Sequence, residues 1–301
     1  MHLEDFSPGQ EHLSGPRAIT LQDLEAFIRL TGDDHPIHRP TAADRDGTAA
    51  SAPGAGEPGD GGSADAPSAD DDGPERAVVH GTLGVALFSG FYRRMGISDE
   101  SLAMLDTHWS YLVPLHVGDC LSCRVTITRV RRTSVGDRGV VSRHIELRNQ
   151  DDVVVQEGTS SLMVGARGQD PLPVQWDFLG RQDLEQLGQA LDQDPGFREL
   201  TAAYDGTIGL AVGGSEAHLR IYRGRVIEAS RRSLLGADFV VRITERDWTR
   251  LMTAPTNEFM QMAMTGRFSS SGSGAEYLRM TRALISVIDT ARTLFPKDLS
   301  R

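Results

Sequence analysis

The chain has 301 residues, a formal net charge of -11, 39% hydrophobic and 24% charged residues. That length suggests one large or two ordinary domains, and the balance is that of a globular protein able to bury a core. Between Thr41 and Pro74, eight acids (Asp44, Asp46, Glu57, Asp60, Asp65, Asp70, Asp71 and Asp72) face Arg45 alone, leaving -4 for everything else. A body so near neutral lacks the overall footprint of a nucleic-acid or anionic-lipid binder. No apolar run reaches membrane-spanning length, and MHLEDFSPGQ has neither the basic start nor the apolar stretch of a secretion signal, so a cytoplasmic protein is expected.

In chain order, the first marked element is a helix over Ala18–Leu30. Thr20 can cap it with Asp23 three residues on, Leu21, Leu24, Phe27 and Ile28 form one apolar stripe, and Gly32 stands where a left-handed terminator is wanted. The loop leaving it reads TGDDHPIH. Pro36 fixes its own backbone angle and disfavours helical geometry at His35, so this loop is stiff. Residues 41–74 contain no Val, Leu, Ile, Met or aromatic residue. Such a segment cannot offset its ordering entropy, which predicts a disordered acidic insertion at about 41–75.

Thr82–Met95 is apolar on several faces, with small residues between, and reads as a buried helix that Gly96 can end. Strand-like runs follow in THWSYL, LSCRVTITRV, GVVSRHIEL and VVVQEGTSSLMVG. One buried helix followed by an antiparallel meander implies a sheet wrapped round that helix. The CxxC of Cys120 and Cys123 lies on one of these strands, where a spacing of three puts the thiols on opposite faces, so two reduced cysteines are expected. GARGQDPLPV marks a linker at 166–175 between residues 1–165 and a second domain at 176–301. That domain carries helical DLEQLGQAL, a hairpin turning at Gly213-Gly214, the strand FVVRIT, the helix start WTRLM, a short strand in RFSSSG and a closing apolar helix over Leu278–Leu294. The expected class is α+β throughout, with no repeat between the halves.

In the first half, Asp33 and His38 flank the proline-stiffened loop and can bring a carboxylate and an imidazole to one water molecule, which is what adding water across a double bond requires. Gly81 precedes the buried helix, where a backbone N–H without an obstructing side chain is a ready donor to an oxyanion. Ser89, two turns further, is a candidate to orient the carboxylate. Asp34, His35 and His38 lack a second cluster to complete a metal site, so no metal is expected.

The order of TGDDHPIH, VVHGTLGVALFSG and VPLHVGD resembles the MaoC-like (R)-specific enoyl-CoA hydratases and dehydratases of the hot-dog fold, over roughly Ile19–Val164. The resemblance implies that Asp33 and His38 are the catalytic pair, Gly81 the thioester-binding amide and Ser89 a helix serine near the acid, with Pro114, Gly118 and Asp119 forming a structural turn. His35 stands where the family usually has Asn, and Pro40 where it has an acid. The second half, Trp176–Phe295, resembles the sterol carrier protein type 2 domain through DGTIGLAV, HLRIYRGRVIEAS, ADFVVRITERDWTRLM and TGRFSSSGSGAEYLRM.

These resemblances imply a homodimeric lyase that interconverts a trans-2-enoyl thioester and an (R)-3-hydroxyacyl thioester. Coenzyme A or phosphopantetheine would enter only as part of the substrate, and no further cofactor is expected. One alternative is a dehydratase acting on 3-hydroxyacyl groups of an acyl carrier protein in polyketide or lipid synthesis. Another is a non-catalytic acyl- or lipid-binding protein. The second domain would hold a lipid or acyl chain in an apolar cavity, or else fill that space with its own side chains. Met252, Met260, Met262 and Met264 are either a flexible ligand patch or ordinary core.

Overall fold

The computed structural model describes residues 1–45, 76–168 and 180–295. Most of the expected acidic insertion and much of the expected linker lie outside these residues. The first five residues of the insertion are described. Thr41 precedes a short helix α2 (Ala42–Arg45), and the buried Asp44 carboxylate accepts from the N–H groups of Thr41 (2.8 Å) and Ala77 (3.1 Å). One acid thus ties together the two ends of the segment.

Strand β1 (Glu11–Ala18) precedes helix α1 (Leu21–Thr31), whose capping box of Thr20 and Asp23 and left-handed Gly32 (φ 73°) are those the sequence indicates. After α2 come β2 (Val78–Val79), helix α3 (Gly81–Arg94), β3 (Ser101–Tyr111), β4 (Leu115–His116), β5 (Cys120–Arg132), β6 (Arg138–Arg148) and β7 (Val154–Gly165). Strands β1-β5-β6-β7-β3, in that order, form an antiparallel sheet, and β2 pairs with β4. On β5, period-two alternation turns Leu121, Cys123, Val125 and Ile127 inward against Leu83, Phe88 and Phe91 of α3. Each such side chain contributes roughly 1.5–3 kcal/mol on burial. This is a hot-dog domain. Burial pushes the Cys123 thiol up to about 12, and both cysteines are free.

Two readings need correcting. Strand β1 was not expected, because EHLSGPRA has no apolar alternation; it is an edge strand whose pairing shifts between Ser14 and Arg17, around the Gly15-Pro16 pair. Helix α3 is not buried all round either, since Thr82, Ala86 and Ser89 are exposed.

The turn before β5 fixes the entry to α1. Gly118 (φ 94°) donates to the Ile19 carbonyl at 2.8 Å, Ile19 N–H donates to the Asp119 carbonyl at 2.8 Å, and the buried Asp119 carboxylate accepts from His116 N–H.

The second domain comprises α4 (Arg181–Gln193), α5 (Pro195–Leu200), β8 (Asp205–Val212), β9 (Ser215–Tyr222), β10 (Arg225–Ser230), β11 (Phe239–Ile243), α6 (Glu245–Thr253), α7 (Phe259–Met264), β12 (Ser269–Gly272), α8 (Gly274–Arg279) and α9 (Thr281–Leu294). Its sheet runs β10-β9-β8-β11-β12, with β11 parallel to β8 and the other pairs antiparallel. One cluster fills the space between this sheet and the helices, with Leu187, Phe197, Phe239, Trp248, Leu284 and Val287 among its members. Met252 and Met262 are core, whereas Met260 and Met264 are exposed, so the four methionines form no single patch. Leu278 belongs to α8 and is exposed rather than part of the closing stripe.

The second domain docks on the outer face of the first sheet. Glu146 of β6 pairs with Arg246 of α6, Thr249 donates to the Thr128 carbonyl at 3.2 Å, and Thr128 donates to Glu245 at 3.2 Å. This cover explains why β6 is buried on both faces over Val141–Leu147.

Candidate active site

Three chain segments converge at the amino end of α3. The first is the loop after α1. Thr31 donates to the Phe27 carbonyl (2.8 Å), the left-handed Gly32 reverses the chain, and Pro36–His38 forms a single 3-10 turn whose N-terminal residue is His35. The second is β2, continued by His80 and Gly81 into α3. The third is the end of β3 with residues 111–115.

His38 Nδ1 lies 2.6 Å from the Val78 carbonyl oxygen. A carbonyl only accepts, so Nδ1 carries the proton and Nε2 of the neutral ring keeps its lone pair. His80 Nε2 lies 3.0 Å from the Asp33 carbonyl oxygen, so that nitrogen carries the proton; the buried Nδ1 has no hydrogen-bond partner among the described residues. The same Nε2 is 3.5 Å from the Asp33 carboxylate. The His38 and His80 rings are stacked, with centroids 3.7 Å apart. Ligating atoms of Asp33, His38 and His80 all lie within 4.8 Å of one another, a span that one water molecule can bridge by hydrogen bonds. The same three groups also lie at the spacing of a metal cluster, although His38 Nδ1 and His80 Nε2 are each committed to a backbone carbonyl. Asp34, by contrast, is 79% exposed and faces Arg39 at 3.8 Å.

Asp33, His38 and Gly81 line one cleft of about 450 Å³, together with Tyr111, Val113 and Gln156. Gly81 opens α3 and lines the cleft with Thr82, while Leu83 N–H donates to the His80 carbonyl at 2.9 Å; among the described residues no side chain caps the helix. The glycine is required sterically, since a Cβ there would sit 2.7 Å from the Tyr111 ring. Gln156, 1% exposed, donates through Nε2 to the Gly81 carbonyl (3.1 Å) and accepts through Oε1 from Trp109 Nε1 (3.0 Å). The structure therefore brings together Asp33, His38 and Gly81. It does not bring Ser89 to them: that residue is exposed, does not line the cleft, and stands eight residues along α3 from Gly81, about 12 Å at helical rise.

Three residues of the cleft carried no assignment from sequence. His80 was legible as part of VVHG but without a role, because its partner Asp33 lies 47 positions away. Gln156 and Tyr111 come from strands whose register with α3 no local pattern reveals.

Residues 74–158 match the FAS1-like dehydratase domain region. His80, Gly81, Ser89, Tyr111 and Gln156 lie within the matched residues, while Asp33 and His38 precede them. Among solved structures, the chain is similar to a MaoC-like dehydratase from Rhodospirillum rubrum, with 20% identity over 56% of this chain and 98% of that one and a TM-score of 0.42. It is also similar to an (R)-hydratase from A. caviae involved in PHA biosynthesis, with 20% identity over 52% of this chain and 96% of that one and a TM-score of 0.36. A sterol carrier protein 2 structure shares 18% identity over 36% of this chain and 92% of that one, with a TM-score of 0.33. No curated protein sequence matches the chain.

Proposed function

We propose that the chain is a hydro-lyase that interconverts a trans-2-enoyl thioester and an (R)-3-hydroxyacyl thioester. The observation that carries this reading is the convergence of the Asp33 carboxylate and the His38 imidazole, within 4.8 Å, in the cleft that the mouth of α3 also lines. In the hydration direction, a water molecule sits between the two side chains. His38 Nε2 takes one of its protons while the oxygen adds to C3, and Asp33 holds the water in line. Charge develops on the thioester oxygen, which the Gly81 N–H stabilises at the positive end of the helix. The proton is then delivered to C2, so one H and one OH have been added across the double bond. Dehydration is the same path reversed. The mechanism draws on no group besides side chains, one amide and water.

A homodimer is part of the proposal. Strand β3 is a sheet edge that leaves Leu102, Met104, Leu105 and Tyr111 exposed, which suits pairing with a second copy. The second domain, whose sheet and helices enclose a core of Leu187, Phe197, Phe239 and Leu284, enters the proposal as a candidate to hold a lipid or acyl chain.

The test follows the ultraviolet absorbance of a trans-2-enoyl-CoA on addition of the full chain, Asp33→Asn and His38→Ala. Loss of the conjugated absorbance with the parent chain and a fall of at least ~100-fold in either variant is the expected result. Unchanged turnover in both variants would remove the assignment of the pair. No turnover on either a coenzyme A or a carrier-protein thioester would favour acyl binding without catalysis, and a preference for the latter would assign the dehydratase alternative.

A further inference from the structure

The loop that carries Asp33 and His38 is fastened to the segment from Ala77 to His80 at three points. At its Asp33 end, the Asp33 carbonyl accepts from His80 Nε2 (3.0 Å). At its His38 end, the ring donates through Nδ1 to the Val78 carbonyl (2.6 Å). The third point lies three residues beyond His38, where Pro40 has no N–H to give and Thr41 precedes α2. There Asp44 Oδ2 accepts from Thr41 N–H (2.8 Å), from the Thr41 hydroxyl (2.9 Å) and, across 33 positions, from Ala77 N–H (3.1 Å).

Part of this is an ordinary helix start. Thr41 Oγ1 in turn accepts from Asp44 N–H (3.3 Å), the reciprocal pattern of a capping box. The bond to Ala77 is one that no helix start requires. Asp44 is 6% exposed and Ala77 3%, so this charge-assisted bond is made away from water, and solvent does not replace it when it is lost. Ala77 immediately precedes Val78, the residue whose carbonyl holds His38, and Val78 is itself paired with His116 of β4. Arg39, by contrast, donates to the Asp34 carbonyl (3.2 Å) and ties the loop only to itself.

The tautomer of an imidazole follows the hydrogen bonds its nitrogens make. While Nδ1 donates to Val78, Nε2 keeps the lone pair that the proposed reaction uses as its base. Separation of Thr41 from Ala77 would free the ring from Val78, and Nε2 would then carry the proton in part of the population. We infer that Asp44 is a positioning residue, which clamps the end of the loop to Ala77 and so holds His38 in the form protonated at Nδ1. Its use in catalysis rests on the proposed role of His38; its effect on the ring is measurable without turnover.

Nitrogen NMR of the full chain carrying isotope-labelled histidine, with His38 assigned by its loss in His38→Ala, reads which ring nitrogen holds the proton. The parent should show Nδ1 protonated. Asp44→Ala should show mixed tautomers, with kcat lower by about tenfold or more and KM changed less. Asp44→Asn keeps the acceptor at roughly half the strength, so it should shift the ring in the same direction but less, and it takes the place of Asp44→Ala should thermal melting show that variant unfolded. Thr41→Ala removes the reciprocal bonds of the helix start but leaves Asp44 on Ala77, and it should keep the parent's tautomer. An unchanged His38 in Asp44→Ala, or in the Asn variant where it stands in, would overturn the inference. So would an equal shift in Thr41→Ala, which would make the acid a cap of α2 alone. A parent chain that turns over no thioester would remove the proposed function, and the spectra would still decide whether Asp44 sets the ring.

Discussion

The imidazole of His80 lies on that of His38, with ring centroids 3.7 Å apart and planes tilted by 22°, while its own Nε2–H reaches the Asp33 backbone carbonyl. One buried ring therefore touches both members of the proposed pair and sets the distance between them. Replacing His80 with Ala removes the stack and the hydrogen bond together. The expected outcome is a fall in kcat of roughly 100-fold, the effect of about an ångström of misplacement, with KM changed much less. His80→Gln, which restores a donor without the ring, should recover part of the loss. Steady-state kinetics of both variants, beside their thermal midpoints, check this; equal losses in the two would assign the effect to the stack alone.

Gly81 and Tyr111 make a second such pair. A methyl group at Gly81 would meet the Tyr111 ring at 2.7 Å, which either tilts the first turn of α3 or expels the ring. Gly81→Ala should therefore lower kcat/KM by at least ~10-fold through displacement of the N–H donor. Tyr111→Ala in the same chain should relieve the clash and restore much of the rate. Failure of the double variant to recover would point to another use of Tyr111.

Much of this site was legible in the sequence because its parts are local. Thr20, Asp23 and Gly32 announce where α1 begins and ends, and the Pro36 loop keeps Asp33 and His38 at fixed spacing whatever the tertiary structure does. The mouth of α3 was marked by Gly81 for the same reason. What stayed hidden depends on register between distant strands. Gln156 reaches Gly81 across 75 positions. Strand β1 was missed because an edge strand half open to water need not alternate.

Gln156 joins the sheet to the helix mouth with both ends of its amide in use. Gln156→Leu leaves the Gly81 carbonyl and the Trp109 N–H without these partners, at a cost of about 1–3 kcal/mol each where they stay dry. A lowered thermal midpoint is expected, together with a fall in kcat that exceeds the change in KM, since the amide fixes Gly81, the proposed oxyanion donor. Gln156→Glu keeps the acceptor for Trp109 but, when ionised, sets oxygen against oxygen at Gly81, and it should lose more activity at neutral pH than under mildly acidic conditions. A variant pair with unchanged kinetics would make this contact purely structural.

Glu146 predicts how acid acts on the union of the two domains. Its carboxylate is 1% exposed, and burial alone would raise its pKa, but His144, Arg246 and Arg148 outweigh burial and hold it down at about 2. The folded value lies below the ordinary 4.5, so the ionised pairing contributes stability that is fully present above about pH 4.5 and is lost as pH falls towards 2. Glu4, held at about 2 by Arg132 and the Arg167 N–H against the opposing effect of burial, titrates in the same window at the other end of the sheet. The thermal midpoint should thus be nearly level from neutrality to about pH 5 and fall steeply below it. Glu146→Gln leaves Arg246 and Arg148 facing a neutral amide, which should cost about 3 kcal/mol at neutral pH and remove part of the acid slope, so that parent and variant converge near pH 2. Parallel curves for the two, offset by a constant amount down to pH 2, would show that the carboxylate's charge is not what secures α6 to β6.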